Sequence, residues 1–439
     1  MVKENHAKYM NKNLVSVGLA AVGVAMGPSA FAQGMSAGAT PKMWNISSNL
    51  RGFYDDNYAV AHNKTGSFGF EVSPSVSANV ALQQTDIGVR YTFGMYYYLQ
   101  RADNGINPLD YTHEGDIWLD HSFNERFKLN VTDSFTVAQD PLLLQGGTTV
   151  RANGNNLANR AQVTINSAWT REFSTATHYG NNLYLFNNDT SSGTGTSSAA
   201  NPSNRALLNR IEQSFGNDFQ WTFTPQTMGF IGYAYSWVLY TGNEPIANYN
   251  PPAVGTYYSN ARNSHSHYLY VGVTEQFSQN LSGTAKVGAY LTDVYNNPVD
   301  NSTSLAPYAD INVTYTYIPG SYFQVGFTQD QNATDVANPN GSGQLTDYQN
   351  SSVLYATINH QITPKITGSL IGQYQYSQFQ NGQYGGTGDQ SVNAGANLSY
   401  QINRHFSANA GYNFDTLISS ITGRGNNRNV VYLGLGANY

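Results

Sequence analysis

Asn429-Val430-Val431-Tyr432-Leu433-Gly434-Leu435-Gly436-Ala437-Asn438-Tyr439 is the stretch on which the reading of this sequence turns. Val431, Leu433, Leu435, Ala437 and Tyr439 share one face of an extended chain; Val430, Tyr432, Gly434, Gly436 and Asn438 share the other. Successive side chains of a strand point to opposite sides, so this segment is a strand with one lipophilic face and one small or polar face.

The same period runs back through the chain. In Phe406–Phe414 the faces are Phe406, Ala408, Ala410, Tyr412 and Phe414 against Ser407, Asn409, Gly411 and Asn413. In Val392–Ile402 they are Val392, Ala394, Ala396, Leu398, Tyr400 and Ile402 against Asn393, Gly395, Asn397, Ser399 and Gln401. Ile311, Val313, Tyr315 and Tyr317 oppose Asp310, Asn312, Thr314 and Thr316. Alternation over about ten residues is what a membrane barrel needs. A soluble sandwich alternates too, with its apolar face inward, so alternation alone leaves both open.

Turn spacing separates them. A short pattern, apolar then polar then turn-formers, recurs at Phe123-Asn124-Glu125-Arg126-Phe127, Phe173-Ser174-Thr175-Ala176, Phe223-Thr224-Pro225-Gln226 and Phe277-Ser278-Gln279-Asn280-Leu281. It returns at Ile318-Pro319-Gly320-Ser321-Tyr322, Ile362-Thr363-Pro364-Lys365-Ile366 and Ile402-Asn403-Arg404-His405-Phe406. With a turn near Gln83–Asp86 this makes eight short turns, separated by long loops rich in Gly, Asn, Ser and Pro such as Asn187–Asn204, Asn243–Arg262 and Thr334–Asp347. The expected fold is all-β, a transmembrane antiparallel β-barrel of about 18 strands, with short periplasmic turns, long extracellular loops and both termini periplasmic. A propeller has a similar repeat length but needs four short strands per repeat, where two long ones fit here. Trp118, Trp169 and Trp221 near the short turns, and Tyr96-Tyr97-Tyr98, Tyr184, Phe186, Tyr240, Tyr374 and Tyr376 near the loops, are expected to form two aromatic girdles against lipid headgroups.

Composition agrees. Of 439 residues only 11% are charged, mean hydropathy is −0.41, and Tyr alone contributes 33. A soluble protein with so few charges and so much exposed Tyr would aggregate. Cysteine is absent, which excludes disulfides, thiolate metal sites and a Cys nucleophile, and suits passage through an oxidising periplasm. Lys3, Lys8 and Lys12, the apolar run Leu14–Met26 and Ala30-Phe31-Ala32 read as a cleaved signal peptide over 1–32. Residues 33–43 then form a short periplasmic segment and 44–439 the barrel. The formal charge of −6 becomes −8 (18 basic against 26 acidic residues) without the leader. No basic patch calls for nucleic acid.

The opening strand Leu50-Arg51-Gly52-Phe53-Tyr54-Asp55-Asp56-Asn57, then Phe68–Val80, Gly88–Leu99 and Tyr111-Thr112-His113-Glu114-Gly115-Asp116, resemble the "putative β-barrel porin 2" type found in some exopolysaccharide operons. The resemblance implies a bacterial outer-membrane barrel with a passage role. Tyr439 on its alternating strand resembles the signal read by the barrel-assembly machinery, although most such strands end in Phe. The expected partners are outer-membrane lipid and lipopolysaccharide, that machinery, and small hydrophilic solutes diffusing through a water-filled lumen. The alternative is an accessory barrel for exopolysaccharide secretion, or a structural surface barrel.

Function then resides in lumen charge. Lumen-facing candidates are Arg90, Asp116, Asp120, Lys128, Lys286, Asp310, Asp330, Lys365 and Asp415. The third long loop, Asp140–Arg160, carries Asp140, Arg151 and Arg160 as candidates for a constriction. His265-Ser266-His267 puts two imidazoles on one face without a third ligand, and is read as a solvated strand end; Asp55-Asp56 is read as an acidic rim. No nucleophile and base are grouped, so no enzyme, cofactor or metal is expected.

Overall fold

The computed structural model describes residues 43–139, 156–187, 198–249 and 254–439. The leader 1–32 and the constriction candidates Asp140 and Arg151 lie outside these. The strands are β1 (Trp44–Asp55), β2 (Ser67–Ala81), β3 (Thr85–Tyr98), β4 (Leu109–Ser122), β5 (Phe127–Ala138), β6 (Asn156–Ala168), β7 (Phe173–Leu185), β8 (Arg210–Thr222), β9 (Thr227–Tyr240), β10 (Pro245–Tyr249), β11 (Gly255–Tyr258), β12 (Ser264–Ser278), β13 (Leu281–Val294), β14 (Ser302–Ile318), β15 (Ser321–Asn332), β16 (Tyr348–Thr363), β17 (Ile366–Gln380), β18 (Gly388–Gln401), β19 (Phe406–Ser419) and β20 (Asn426–Asn438). Among the described residues two short α-helices, α1 (Leu99–Asp103) and α2 (Asn204–Leu208), and a 3-10 turn, Ser259–Arg262, sit in the connections.

Eighteen of these strands form one antiparallel sheet, and β10 and β11 pair separately. The sheet closes where β1 meets β20, in register from Ser47↔Asn438 to Asp55↔Val430. Closure removes the exposed edges that lipid cannot hydrogen-bond. Trp44 and Tyr439 pack ring to ring at 5.8 Å on the side of the eight short turns.

The recurring polar residue of those turns has a structural reason. Asn124 Oδ1 accepts from the amides of Arg126 and Phe127, and Asn403 Oδ1 from those of His405 and Phe406. The hydroxyls of Thr170, Thr224 and Thr363 accept in the same way, and the Thr170 reversal spans 169–172, ahead of the expected Phe173-Ser174-Thr175-Ala176, which instead opens β7. Each side chain satisfies the amides that a reversal leaves unpaired. The Thr363 turn also places Lys365 outside the lumen: it is exposed in the β16–β17 reversal, a correction to the expectation from alternation.

The apolar face is outward. Leu433 is 68% exposed, Leu435 59%, Leu305 74% and Leu398 49%, while Asn409 on the opposite face of β19 is buried. A sandwich would bury the leucines, so this distribution decides for a barrel.

Candidate functional site

Register fixes which residues line the lumen. Trp118 lies opposite Gly88, Phe230 opposite Gly272, Tyr270 opposite Gly232, Tyr355 opposite Gly326 and Tyr432 opposite Gly411. At each pair the ring lies over its glycine. A Cβ at Gly272 would stand 2.2 Å from Phe230 Cζ, and one at Gly232 would stand 2.1 Å from Tyr270 Cε2. The missing Cβ lets large rings lie flat on the wall instead of filling the passage. Several aromatics expected against lipid belong to this inner set: Trp118, Tyr96, Tyr98, Tyr184 and Tyr240 face inward, and Phe186 is buried at the mouth. Trp169, Trp221, Tyr374 and Tyr376 are exposed on the outside.

Charge on the lumen wall is unequal. The described lumen faces carry thirteen carboxylates: Asp55, Glu71, Asp86, Asp110, Glu114, Asp116, Asp120, Glu212, Asp218, Asp310, Asp330, Asp389 and Asp415. Seven cations oppose them: Arg51, Arg90, Lys128, Arg160, Arg210, Lys286 and Arg428. Several cations are neutralised on the wall itself. Arg90 Nε donates to Asp116 at 2.8 Å, Arg51 to Glu71 at 3.4 Å, Arg210 to Glu212 at 2.7 Å and Arg428 to Asp55 at 2.8 Å. Other carboxylates have neutral partners: Asp218 accepts from Tyr270 at 2.6 Å, Asp330 from Tyr268 at 3.1 Å and Asp120 from Asn130 at 2.6 Å. Lys286, in register with Asp310, lies over the Tyr270 and Phe230 rings at 5.6 and 5.8 Å. Lys128 and Asp415 are on the same wall. Arg160 belongs to β6, not to a loop, and its guanidinium lies 5.9 Å from the Tyr184 ring.

The long-loop end carries a built cap. Helix α2, capped by the Ser203 hydroxyl accepting from Ala206 N, brings Ala206, Leu207 and Leu208 against Ile246 and Tyr257 of the β10–β11 hairpin. Leu345 and Ala337 from the β15–β16 connection join the same cluster, as do Ala138, Ala158 and Tyr184 of the wall. β5 and β15 lie far apart around the ring, so this apolar cluster crosses the mouth. Arg262, 1% exposed, ties its parts together: Nη1 donates to Thr334 O at 2.8 Å, Nη2 donates to Leu207 O, and the guanidinium covers Tyr240 at 4.5 Å. Tyr257 donates to Gly343 O, and burial, reinforced by Tyr249, Asp347 and Asp300, pushes its hydroxyl up to about 12. Arg424 bridges Asp335 and Asp389 at 2.6 and 2.8 Å. Asp347 accepts from Ser302 at 3.0 Å and Asn381 at 2.8 Å. Beneath the cap is an open recess of about 680 Å³ lined by Glu212, Ser214, Ser264, Ser266, Tyr268 and Asp347 among others.

Two sequence features have plain structural roles. Asp55 is held by Arg428, while Asp56 binds Lys64 at 2.6 Å and Asn429; those bonds outweigh burial and lower its pKa. His265 and His267 face outward, His265 3.5 Å from Asp293 and His267 hydrogen-bonded to Tyr233 at 2.8 Å. Among the described residues no group of three His, Cys, Asp or Glu could hold a metal.

A family model described as putative beta-barrel porin 2 matches residues 32–439. No curated protein matches the chain. Among solved structures, the chain is similar to OccAB4 of Acinetobacter baumannii, with 12% identity over 91% of this chain and 99% of that one at a TM-score of 0.40. The outer membrane protein opdK of Pseudomonas aeruginosa matches at 9% identity, 90% and 99% coverage and a TM-score of 0.42. A BenF-like porin from Pseudomonas fluorescens Pf-5 matches at 9% identity, 90% and 98% coverage and a TM-score of 0.44.

Proposed function

The chain belongs to the putative beta-barrel porin 2 family, and from that premise we propose a passage that favours cations and neutral polar solutes over anions. It is a porin of the bacterial outer membrane, through which small hydrophilic solutes diffuse. The observation that carries the preference is the charge of the described lumen faces, thirteen carboxylates against seven cations, with Asp218 held by the Tyr270 hydroxyl and Asp330 by the Tyr268 hydroxyl and the Gln331 amide. Rings of one charge sign in a confined aqueous path concentrate counter-ions and repel co-ions. No catalytic role is proposed. The leader 1–32 is proposed to be removed before assembly, and Tyr439 to be read by the barrel-assembly machinery. Lipopolysaccharide is the proposed neighbour of the long-loop rim.

Reversal potentials in a planar bilayer under a salt gradient test this directly. A potential of cation-selective sign, reduced in the Asp218→Asn/Asp310→Asn variant, is expected. An anion-selective reversal potential in the unmodified protein would sink the reading.

A further inference from the structure

We propose that the outer surface of β5–β8 is a contact face for a second copy of this chain within the membrane. Strand alternation turns Asp133, Asn159, Thr177 and Asn217 away from the lumen, in phase with the exposed rings of Tyr179, Phe215 and Phe219. Two cross-strand bonds organise the polar groups. Asn159 Nδ2 donates to Asp133 Oδ1 at 2.8 Å, and Thr177 Oγ1 donates to Asn217 Oδ1 at 2.7 Å. Asn181 and Gln213, in register with each other, share this outward face.

The exterior of β17–β20 is different. The corresponding positions there are Leu370, Ala396, Leu398, Ala410, Leu433 and Leu435. Asp133 is the seventh of the twelve residues of β5, so it lies at mid-strand and not at a girdle. A charged group on the lipid face costs most near the midplane. One amide bond leaves most of the acceptor capacity of a carboxylate unused. Hydrocarbon offers nothing to complete it, and a lipid headgroup sits at the rim, above or below this height.

A protein surface can complete it, and the composition of the patch favours a copy of itself. The face contains a carboxylate acceptor with the Asn159 amide beside it, the amides of Asn181 and Gln213 in the same register row on β7 and β8, and that of Asn217 nearer the short turns, each able to donate and accept. A patch that holds both kinds of group is self-complementary under a two-fold rotation, in which residue i meets residue j and j meets i. Val163, Tyr179 and Phe215 lie in one register row between the two bonded pairs and supply the apolar packing at the centre of the face, with Phe135 and Phe219 at its ends. Association in a bilayer rests on packing and interfacial hydrogen bonds rather than on hydrophobic transfer, and this surface offers both.

The absence of cysteine makes the test direct. Tyr179→Cys and Val163→Cys, register partners on β7 and β6, place single thiols at the centre of the face; Leu433→Cys places one on the far exterior. Oxidation in native outer membranes should join Tyr179→Cys or Val163→Cys chains into disulfide dimers and leave Leu433→Cys monomeric. Adding Asp133→Leu and Asn217→Leu should reduce that cross-linking several-fold, while heat-modifiable migration shows that the barrel still folds. The proposal is overturned if neither central thiol cross-links, if Leu433→Cys cross-links equally well, or if the leucine pair leaves the yield unchanged in a folded barrel. None of these outcomes depends on ion selectivity.

Discussion

Asp55 and Arg428, 373 positions apart in sequence, meet at 2.8 Å across the seam where the first strand closes on the last. Asp55 is 1% exposed and Arg428 7%. Removing one partner of a buried ion pair strands the other, typically at a cost of about 3–5 kcal/mol, whereas replacing both by apolar groups of similar size is far milder. Arg428→Met should therefore lower the temperature at which the barrel loses its compact electrophoretic form, and Asp55→Leu/Arg428→Met should recover most of the loss. A double variant as unstable as the single one would show that the pair is not coupled across the seam.

Lipid exposure gives a second expectation. Leu398 faces outward in register with Ala410, and Asn397 beside it faces inward, accepting from Tyr432 at 3.1 Å. Leu398→Arg should destabilise by roughly 2–4 kcal/mol, the range for a basic residue near the midplane of a barrel exterior. Asn397→Arg, with water to receive its guanidinium, should cost clearly less. Denaturant titrations of the refolded barrel compare the two, and equal losses would contradict an aqueous interior.

How much of this was legible follows from where sequence alternation is chemically one-sided. On β18, β19 and β20 one face is Leu, Ala, Val and Tyr and the other Asn, Ser and Gly, so the lipid side reads directly from sequence. The turns were legible because Asn124, Thr363 and Asn403 must sit where they cap. On β4 and β9 the same logic misled. Trp118 and Tyr240 alternate as lipid anchors would, yet face inward, and the glycine that receives Trp118 is on a neighbouring strand. Lys365 was misplaced because Thr363 ends its strand one residue before Pro364. The cap had no local signature at all: Leu207, Ile246, Tyr257 and Leu345 come from separate connections, and only the closed ring brings them together.

Asp347 makes the cap sensitive to acidity. Burial raises its carboxyl from 3.8 to about 6, against the opposing effect of hydrogen bonds from Asn381 and Ser302 and the nearby Arg262 charge. The folded connection then holds its proton more tightly than the released one, so stabilisation is complete below about pH 4 and is lost as pH rises through about 6. Amide exchange across residues 334–346 should be slower at pH 4.5 than at pH 7.5, after correction for intrinsic exchange. Asp347→Asn should make the corrected protection nearly independent of pH. A wild-type segment better protected at the higher pH would reverse the sign and exclude this group as the cause.

The last expectation concerns what the cap does to transport. Eighteen strands enclose a wide ring, yet α2, the β10–β11 hairpin and the β15–β16 connection pack into one apolar cluster across the long-loop mouth. Ile246, 2% exposed, and Tyr257, fully buried, contribute the hairpin's side chains to that cluster, and Tyr257 also ties it to Gly343. Replacing residues 244–259 with a short Gly-Ser link therefore removes one of the three connections that meet over the lumen among the described residues. The ladder from β9 to β12 is made by other residues, Thr227–Val238 against Ser264–Glu275, so the barrel itself should remain as resistant to heat and detergent as before. Single-channel conductance should rise several-fold, and the cation preference should persist, because Asp218, Asp310 and Asp330 lie on the wall and not in the hairpin. If the shortened protein folds and inserts but conducts no better than the full chain, the narrowest point lies elsewhere in the barrel. If neither form conducts at all, passive passage is lost as a function and the structural surface barrel takes its place.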